Sequence, residues 1–265
     1  MAGRAPVCRF ATGPARELLG LLYDLSASGL LLAGQHNQPM HGSEWTRWAA
    51  ETGGATPALW GQEIGFSAPG TKDAVDRRAD NVAEAVEWHR RGALVTYTWH
   101  AVCPVDDEPV EFDGGVLRSF DRGDFEAVVD PGSGVHAGWR ARVDRAAAVL
   151  AGLAEAGVPV LWRPYHEMNG SWFWWGGQPD LLRRLWRLLF ERLVGHHGLT
   201  NLIWVWSPNA AYGGTAPFAE YYPGHDVVDA LAVDTYGHFE REHYDALLAV
   251  AGGRPIGLGE VGQLP

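Results

Sequence analysis

Seven short runs of almost unbroken apolar residues recur along the chain, at 29–36, 58–62, 93–100, 159–166, 201–208, 229–236 and 254–260. Gly, Pro or Asn bounds them, and most lack the polar alternation of a strand with one face in water. Such runs predict strands covered on both faces, the condition of a parallel sheet. Longer amphipathic stretches lie between them and read as helices: 43–50 with Ser43 as N-cap, 73–91, 136–156, 179–196, 216–222 and 241–251. In 73–91 the residues Val75, Ala79, Val82 and Val86 make the predicted apolar stripe. Pro179 opens its helix, and Gly157 and Gly198 stand just beyond two helix ends.

Strand and helix therefore alternate, with right-handed crossovers expected. Both a doubly wound sheet and a (β/α)8 barrel fit that order. The strand ends decide between them. His36, Gln62, Glu63, His100, His166, Glu167, Trp206, Tyr236 and Glu260 all lie at or near the C-terminal end of a run. Barrels build their sites from nearly every strand end, whereas doubly wound sheets concentrate ligands at one switch point. No Gly-rich phosphate or dinucleotide fingerprint follows any run. The expected fold is an α/β chain forming a single (β/α)8 barrel domain over 1–265. Seven strands are one too few. Either residues 9–28 fill the gap, or the barrel lacks its eighth β/α unit at the C-terminus; truncation is the preferred reading.

Charge and cysteines exclude several function classes. The formal charge of −11 repels polyanions, so neither nucleic acid nor an anionic membrane surface is an expected partner. Two cysteines, Cys8 and Cys103, are too few for a disulfide framework or a structural zinc site, and nothing in the sequence says whether they pair. No run is long and apolar enough for a membrane span. No signal-peptide core follows the first Met, so the chain as written is expected in the cytoplasm, or secreted if the start is misassigned or shortened.

The chemistry concentrates in LWRPYHEMNGSWFWWGG, residues 161–177. A strand carrying Arg163 ends in His166 and Glu167, and Trp172, Phe173, Trp174 and Trp175 follow closely. A carboxyl buried beside aromatics has its charged form disfavoured, which suits a general acid near neutral pH. The plain alternative is a structural Glu paired with Arg163, with the aromatics as core. A second carboxylate, Glu260, ends the apolar run RPIGLGEVG. Two such groups facing each other across a barrel mouth are what glycoside hydrolysis needs. The chain holds 13 Trp against 3 Met, and indoles also stack on sugar rings; core packing remains the ordinary explanation of any one of them.

The segment WRPYHEMNGSWFWWG resembles the acid/base signature of glycoside hydrolase family 26, the β-mannanase family. AGQHN (33–37), VTYTWH (95–100), IWVWSPN (203–209), YYPGHDVVDALAVDTYG (221–237) and PIGLGEVG (255–262) resemble its other strand-end segments, in family order. The resemblance implies a (β/α)8 barrel, retaining chemistry, no metal or other cofactor, and a β-linked polysaccharide, principally β-1,4-mannan, as substrate. It implies Glu167 as acid/base and Glu260 as nucleophile. His100 and His166 then line the subsite of the cleaved sugar, Trp172 is an aromatic platform, and Tyr236 hydrogen-bonds the nucleophile. Arg163 is expected to hold the nucleophile's charge. Two departures stand out: no segment supplies the family's eighth strand, and residues 101–131 form a long stretch carrying Asp106, Asp107, Glu108, Glu111 and Asp113. That stretch reads as a solvated loop, or as one wall of a substrate groove.

Other readings remain open. Some relatives in the family cut β-1,3-xylan or mixed-linkage glucan. A barrel that binds carbohydrate without turning it over would keep the same aromatic platforms. A zinc hydrolase is disfavoured, because Gly170 stands where the H-E-x-x-H pattern needs its second His.

Overall fold

The computed structural model describes residues 4–210, 215–237 and 240–262. Seven parallel strands lie side by side in chain order: β1 (Gly34–His36), β2 (Leu59–Glu63), β3 (Leu94–Trp99), β4 (Val160–Pro164), β5 (Leu202–Trp206), β6 (Ala230–Tyr236) and β7 (Ile256–Gly262). The architecture is a (β/α)8-type barrel short of one unit. Among the described residues, β1 and β7 are its open edges.

Side chains alternate between the two faces of each strand. One face points outward to the helices and carries Trp60, Tyr97, Trp162, Trp204 and Trp206, all in the main core. The opposite face is apolar toward the strand starts, where Leu161, Ile203, Val205, Ala230 and Ala232 form a second core. Ala15, Leu18 and Leu19 of the helix Gly13–Ser28 cover that layer. The Thr12 hydroxyl caps this helix by accepting from the Ala15 N–H, and Gly29 ends it in the left-handed region (φ 69°). Residues 9–28 therefore plug the starting end of the barrel and do not supply a missing strand.

Several expectations change. Only the last three residues of the run 29–36 form a strand; Leu31 is 94% exposed on the open edge, so its apolar character does not reflect burial. Ser43 stands at the N-cap of the helix Glu44–Gly53 but does not cap it. Its hydroxyl bonds Glu84 and accepts from the indoles of Trp60 (2.9 Å) and Trp88 (2.6 Å). The predicted helix 73–91 begins at Arg78, after a 3-10 turn at Val75–Arg77, and buries Asn81 and Ala85 while Ala79 faces water. Residues 101–131 are not a solvated loop. They contain the helix Arg122–Val129, capped by the Asp121 carboxylate and burying Phe125, Val128 and Val129. Cys8 and Cys103 are both buried and free. Nine of the 13 Trp are core, including Trp174 and Trp175. No helix among the described residues is long and apolar enough to cross a membrane.

Candidate active site

Toward the strand ends the inward face turns polar. The register sets Glu63, Thr98 and Arg163 in one row across β2, β3 and β4. Arg163 is buried and spends its guanidinium in three directions. It donates to Asp234 (2.7 Å), to the Thr98 hydroxyl (3.0 Å) and to Glu260. Asp234 also accepts from the Ser207 hydroxyl (2.6 Å).

Glu260 reaches this network through a β-bulge. Val233 pairs with Leu258 and Asp234 with Glu260, so Gly259 is the extra residue of β7. In unbroken register Glu260 would fall on the other face; the inserted residue turns it inward. A Cβ at Gly259 would lie 2.3 Å from the Asp234 Oδ1 and 2.5 Å from the Ser207 hydroxyl, so only Gly permits the approach. Burial alone would raise the Glu260 carboxyl. The Arg163 guanidinium, with help from the Tyr236 hydroxyl, outweighs it and holds the group well below the usual carboxylate range.

Glu167 sits just past β4, where the chain leaves the sheet abruptly. Tyr165 (φ 49°) and Glu167 (φ 55°) both occupy the left-handed region, uncommon for side chains of this size. The turn is held by backbone and side-chain bonds. The Glu167 N–H donates to the Ser207 carbonyl at 2.8 Å. The Asn169 amide donates to the Asn209 and Ala216 carbonyls, and its oxygen accepts from the Asn209 N–H. The Trp172 indole N–H donates to Glu167 at 2.9 Å. A Cβ at Gly170 would fall 2.2 Å from the Trp172 ring, which explains the Gly in the motif. Burial, then the charge of Glu260, push the Glu167 carboxyl up to about 7, against the Trp172 bond.

The two histidines are in different states. His100 and His166 lie ring against ring, 4.5 Å between centroids and nearly perpendicular. The His100 Nδ1 donates to the buried Glu63 carboxylate at 2.7 Å, and the His100 backbone N–H donates to the same carboxylate at 2.9 Å. Burial works against the His100 cation, but Glu63 outweighs it and raises the ring's affinity for a proton. Burial, then Arg163, lower His166 well below its ordinary value, so it is neutral. Phe173 and Trp175 stack behind them at 4.3 Å.

All seven residues singled out from the sequence fall in one cluster. Asp234 was missed, and Glu63 was noted only as one of the polar groups at strand ends, with no role of its own. Each is an acid in an otherwise apolar strand, which signals a buried partner. His166, Asp234 and Glu260 could each offer one ligand atom within 4.8 Å of the others. The Arg163 guanidinium already bonds both carboxylates, so a metal ion there would compete with a fixed cation. Beside Glu260 opens a cavity of about 680 Å³, bordered by Glu63, His100, Arg163 and Tyr236 and by the edges β1 and β7.

The sequence profile of Glycosyl hydrolase family 26 matches residues 10–264. A mannan endo-1,4-β-mannosidase of Thermothelomyces thermophilus is 34% identical over 224 residues, 78% of this chain and 41% of that protein. One of Bacillus subtilis is 28% identical over 222 residues, 79% of this chain and 59% of that protein. The chain thus spans less than two thirds of either relative. The solved structure of GH26A from a Muricauda species superposes with a TM-score of 0.90 at 39% identity, covering 97% of this chain and 84% of that one. A β-mannanase from a protist symbiont of the termite Reticulitermes speratus, solved with a gluco-manno-oligosaccharide, gives 0.82 at 25% identity, covering 99% and 83%.

Proposed function

Because the chain belongs to glycosyl hydrolase family 26, we propose that it is a retaining, endo-acting hydrolase of β-1,4-mannan, with Glu260 as nucleophile and Glu167 as acid/base. The reading treats the chain as one catalytic domain. One observation carries it: two glutamates on one side of the barrel are pushed in opposite directions, Glu260 well down and Glu167 up to about 7. An ionised nucleophile and a protonated acid can then coexist over a range of pH below 7.

In the first step the Glu260 carboxylate attacks the anomeric carbon. The bond to the leaving oxygen breaks, and Glu167 gives that oxygen its proton. In the second, the Glu167 carboxylate takes a proton from water, whose oxygen attacks the anomeric carbon and releases Glu260. Arg163 and the Tyr236 hydroxyl keep Glu260 ionised and aimed. His100 and His166 lie against the sugar being cleaved, and Trp172 both orients Glu167 and offers a ring face on the leaving-group side.

The names of the relatives support β-1,4-mannan as substrate. A reducing-sugar assay on mannan, galactomannan, β-1,3-xylan and lichenan tests this, with mannan expected to be cut fastest. Proton NMR of the first products should show the β-anomer. Initial α-anomer would exclude the double displacement, and binding without turnover would make the chain a carbohydrate-binding barrel.

A further inference from the structure

Nine of the 13 Trp residues are core, Trp172 bonds Glu167, and Trp88 bonds Ser43. Trp45 and Trp48 remain without a role. They stand one turn apart on the helix Glu44–Gly53, 39% and 57% exposed. Neither packs against either core cluster, and neither indole N–H has a hydrogen bond among the described residues. The helix docks without them, through polar bonds on its inner side. The Thr46 N–H donates to the Asn37 side-chain oxygen (3.0 Å), the Asn37 amide donates to the Thr46 hydroxyl (2.8 Å), and Ser43 accepts from the indoles of Trp60 and Trp88. The rings of Trp45 and Trp48 are 6.4 Å apart at 81°, and the His41 ring meets Trp45 at 6.5 Å and 66°. Large apolar rings left in water gain nothing for folding, and neighbouring ones mark a binding surface.

The surroundings of the two rings select the ligand. Nucleic acid also stacks on indoles, but the formal charge of −11 repels it. Exposed Glu44 and Glu51 lie four residues before and three after Trp48, on the same helix surface, and such charges are depleted from the cores of protein interfaces. A neutral sugar chain suits both conditions. Its C–H faces lie on the rings, and its hydroxyls meet the carboxylates and the free indole N–H groups. The rings stand outside the catalytic cleft. Gln38 borders the cavity beside Glu260, whereas His41, Trp45 and Trp48 do not. The 3-10 turn Pro39–His41 links the two places, and the Met40 N–H pins it to the Lys72 carbonyl (2.9 Å). We propose that Trp45 and Trp48 form a surface platform that holds a neutral β-linked polysaccharide outside the cleft and keeps the protein on the polymer between cuts. The identity of the polysaccharide rests on the glycosidase reading above. Tethering of this kind raises the effective concentration of further linkages at the cleft.

The test sets insoluble β-1,4-mannan against soluble β-1,4-mannotetraose, which occupies the cleft alone. In the double variant Trp45→Ala, Trp48→Ala, binding to mannan in a sedimentation assay should weaken about tenfold or more, the usual cost of removing aromatic anchors. Hydrolysis of mannan at low polymer concentration should fall with it. On mannotetraose kcat and KM should not change, and neither should the melting temperature, because the rings touch neither core nor cleft. Trp45→Phe, Trp48→Phe keeps two flat faces and should retain most of the binding. Unchanged mannan binding in the alanine variant overturns the proposal. So does an equal loss on mannotetraose, which would place the rings in the cleft. A change from dimer to monomer in light scattering, with mannan binding intact, also overturns it and makes the patch a protein interface. Failure of the parent reading looks different: wild type then cleaves neither mannan nor mannotetraose. Sedimentation with mannan, β-1,3-xylan and cellulose then decides the platform alone. It is supported if wild type binds one of them and the alanine variant binds it about tenfold or more weakly, and overturned if wild type binds none or the variant binds equally well.

Discussion

The two proposed catalytic carboxyls come from opposite kinds of strand. β4 is central and buried along its whole length, and Glu167 leaves it through two left-handed residues locked by Asn169 and the Trp172–Gly170 contact. Among the described residues β7 is an open edge, with Leu258 50% and Val261 66% exposed, so little packing holds Glu260 there. Charge does so instead, through Arg163 and the Tyr236 hydroxyl, after the bulge at Gly259 has turned the residue inward. The same contrast sets the two acidities. Burial wins at the packed position and raises Glu167; pairing wins at the edge and lowers Glu260. Where a barrel has neighbours on both sides it fixes a group sterically, and where it lacks them it needs ions.

Removing each carboxyl is the strongest way to sharpen the contrast. Glu260→Ala deletes the bond-forming atom, so turnover of mannan should fall by roughly 10⁴-fold or more whatever the leaving group. Glu167→Ala should cost about 10²- to 10⁴-fold on mannan. On aryl glycosides with acidic leaving groups its first step should be nearly spared, with the aryl group released in a burst. Steady-state and burst kinetics on both substrates check this. An equal, leaving-group-independent loss in both variants would dissolve the division of roles.

Arg163→Met strikes the ions alone. It leaves Asp234 and Glu260 near each other without their shared cation, and breaking such a buried pairing costs about 3–5 kcal/mol. Chemical denaturation should show a loss of that size. With its main pairing gone, burial would govern Glu260 and raise it, so the acid limb of the activity profile should move to higher pH. The sign follows from linkage: a group held low when folded contributes stability at pH above its unfolded value, and that contribution is lost as pH falls through the folded one.

The bulge offers a paired test along one strand. Gly259→Ala places a methyl group against the Asp234 carboxylate and the Ser207 hydroxyl, and overpacking of this kind costs about 1–3 kcal/mol. Because Glu260 is the next residue, turnover should fall with stability. A Cβ at Gly257, two residues earlier, meets nothing within 4 Å. Gly257→Ala should leave both nearly unchanged, and thermal melts with mannan assays on the two variants should differ accordingly.

The same division governs how much the sequence reveals. Strands with neighbours on both sides read well: the runs at 159–166 and 201–208 enclose β4 and β5, because a strand buried on both faces must be continuously apolar. At the open edge the same rule misleads, and Leu30 and Leu31 are apolar without being buried. Glu167 and Glu260 were legible as acids at strand ends. The bulge that aims Glu260 was not, since Gly259 in GLGEVG marks a flexible position without saying which residue is unpaired. Asp234 hides within an apolar strand, where a lone acid has meaning only once its buried partner Arg163 is known, and Glu63, visible at a strand end, had no role until its partner His100 was placed beside it. The helix Arg122–Val129 was readable in retrospect. Phe125, Val128 and Val129 have helical spacing after an Asp cap, but the nearby acids masked it.

The smallest effect concerns the one hydrogen bond that works against burial at the packed site. The Trp172 indole N–H donates to Glu167 and favours its ionised form, while burial and the Glu260 charge favour the protonated form. Trp172→Phe removes the donor and keeps an aromatic ring. The carboxyl should then hold its proton to higher pH than about 7, and the alkaline limb of the kcat/KM profile should move upward by a fraction of a pH unit. The acid limb, which belongs to Glu260 and its ion pairs on the other side of the cleft, should stay in place. A downward alkaline shift would mean that lost packing let water reach Glu167 and that burial, rather than the bond, dominates the change. Movement of both limbs together would mean that the two carboxyls titrate as one unit, and the separation drawn between a packed acid and a paired nucleophile would fail.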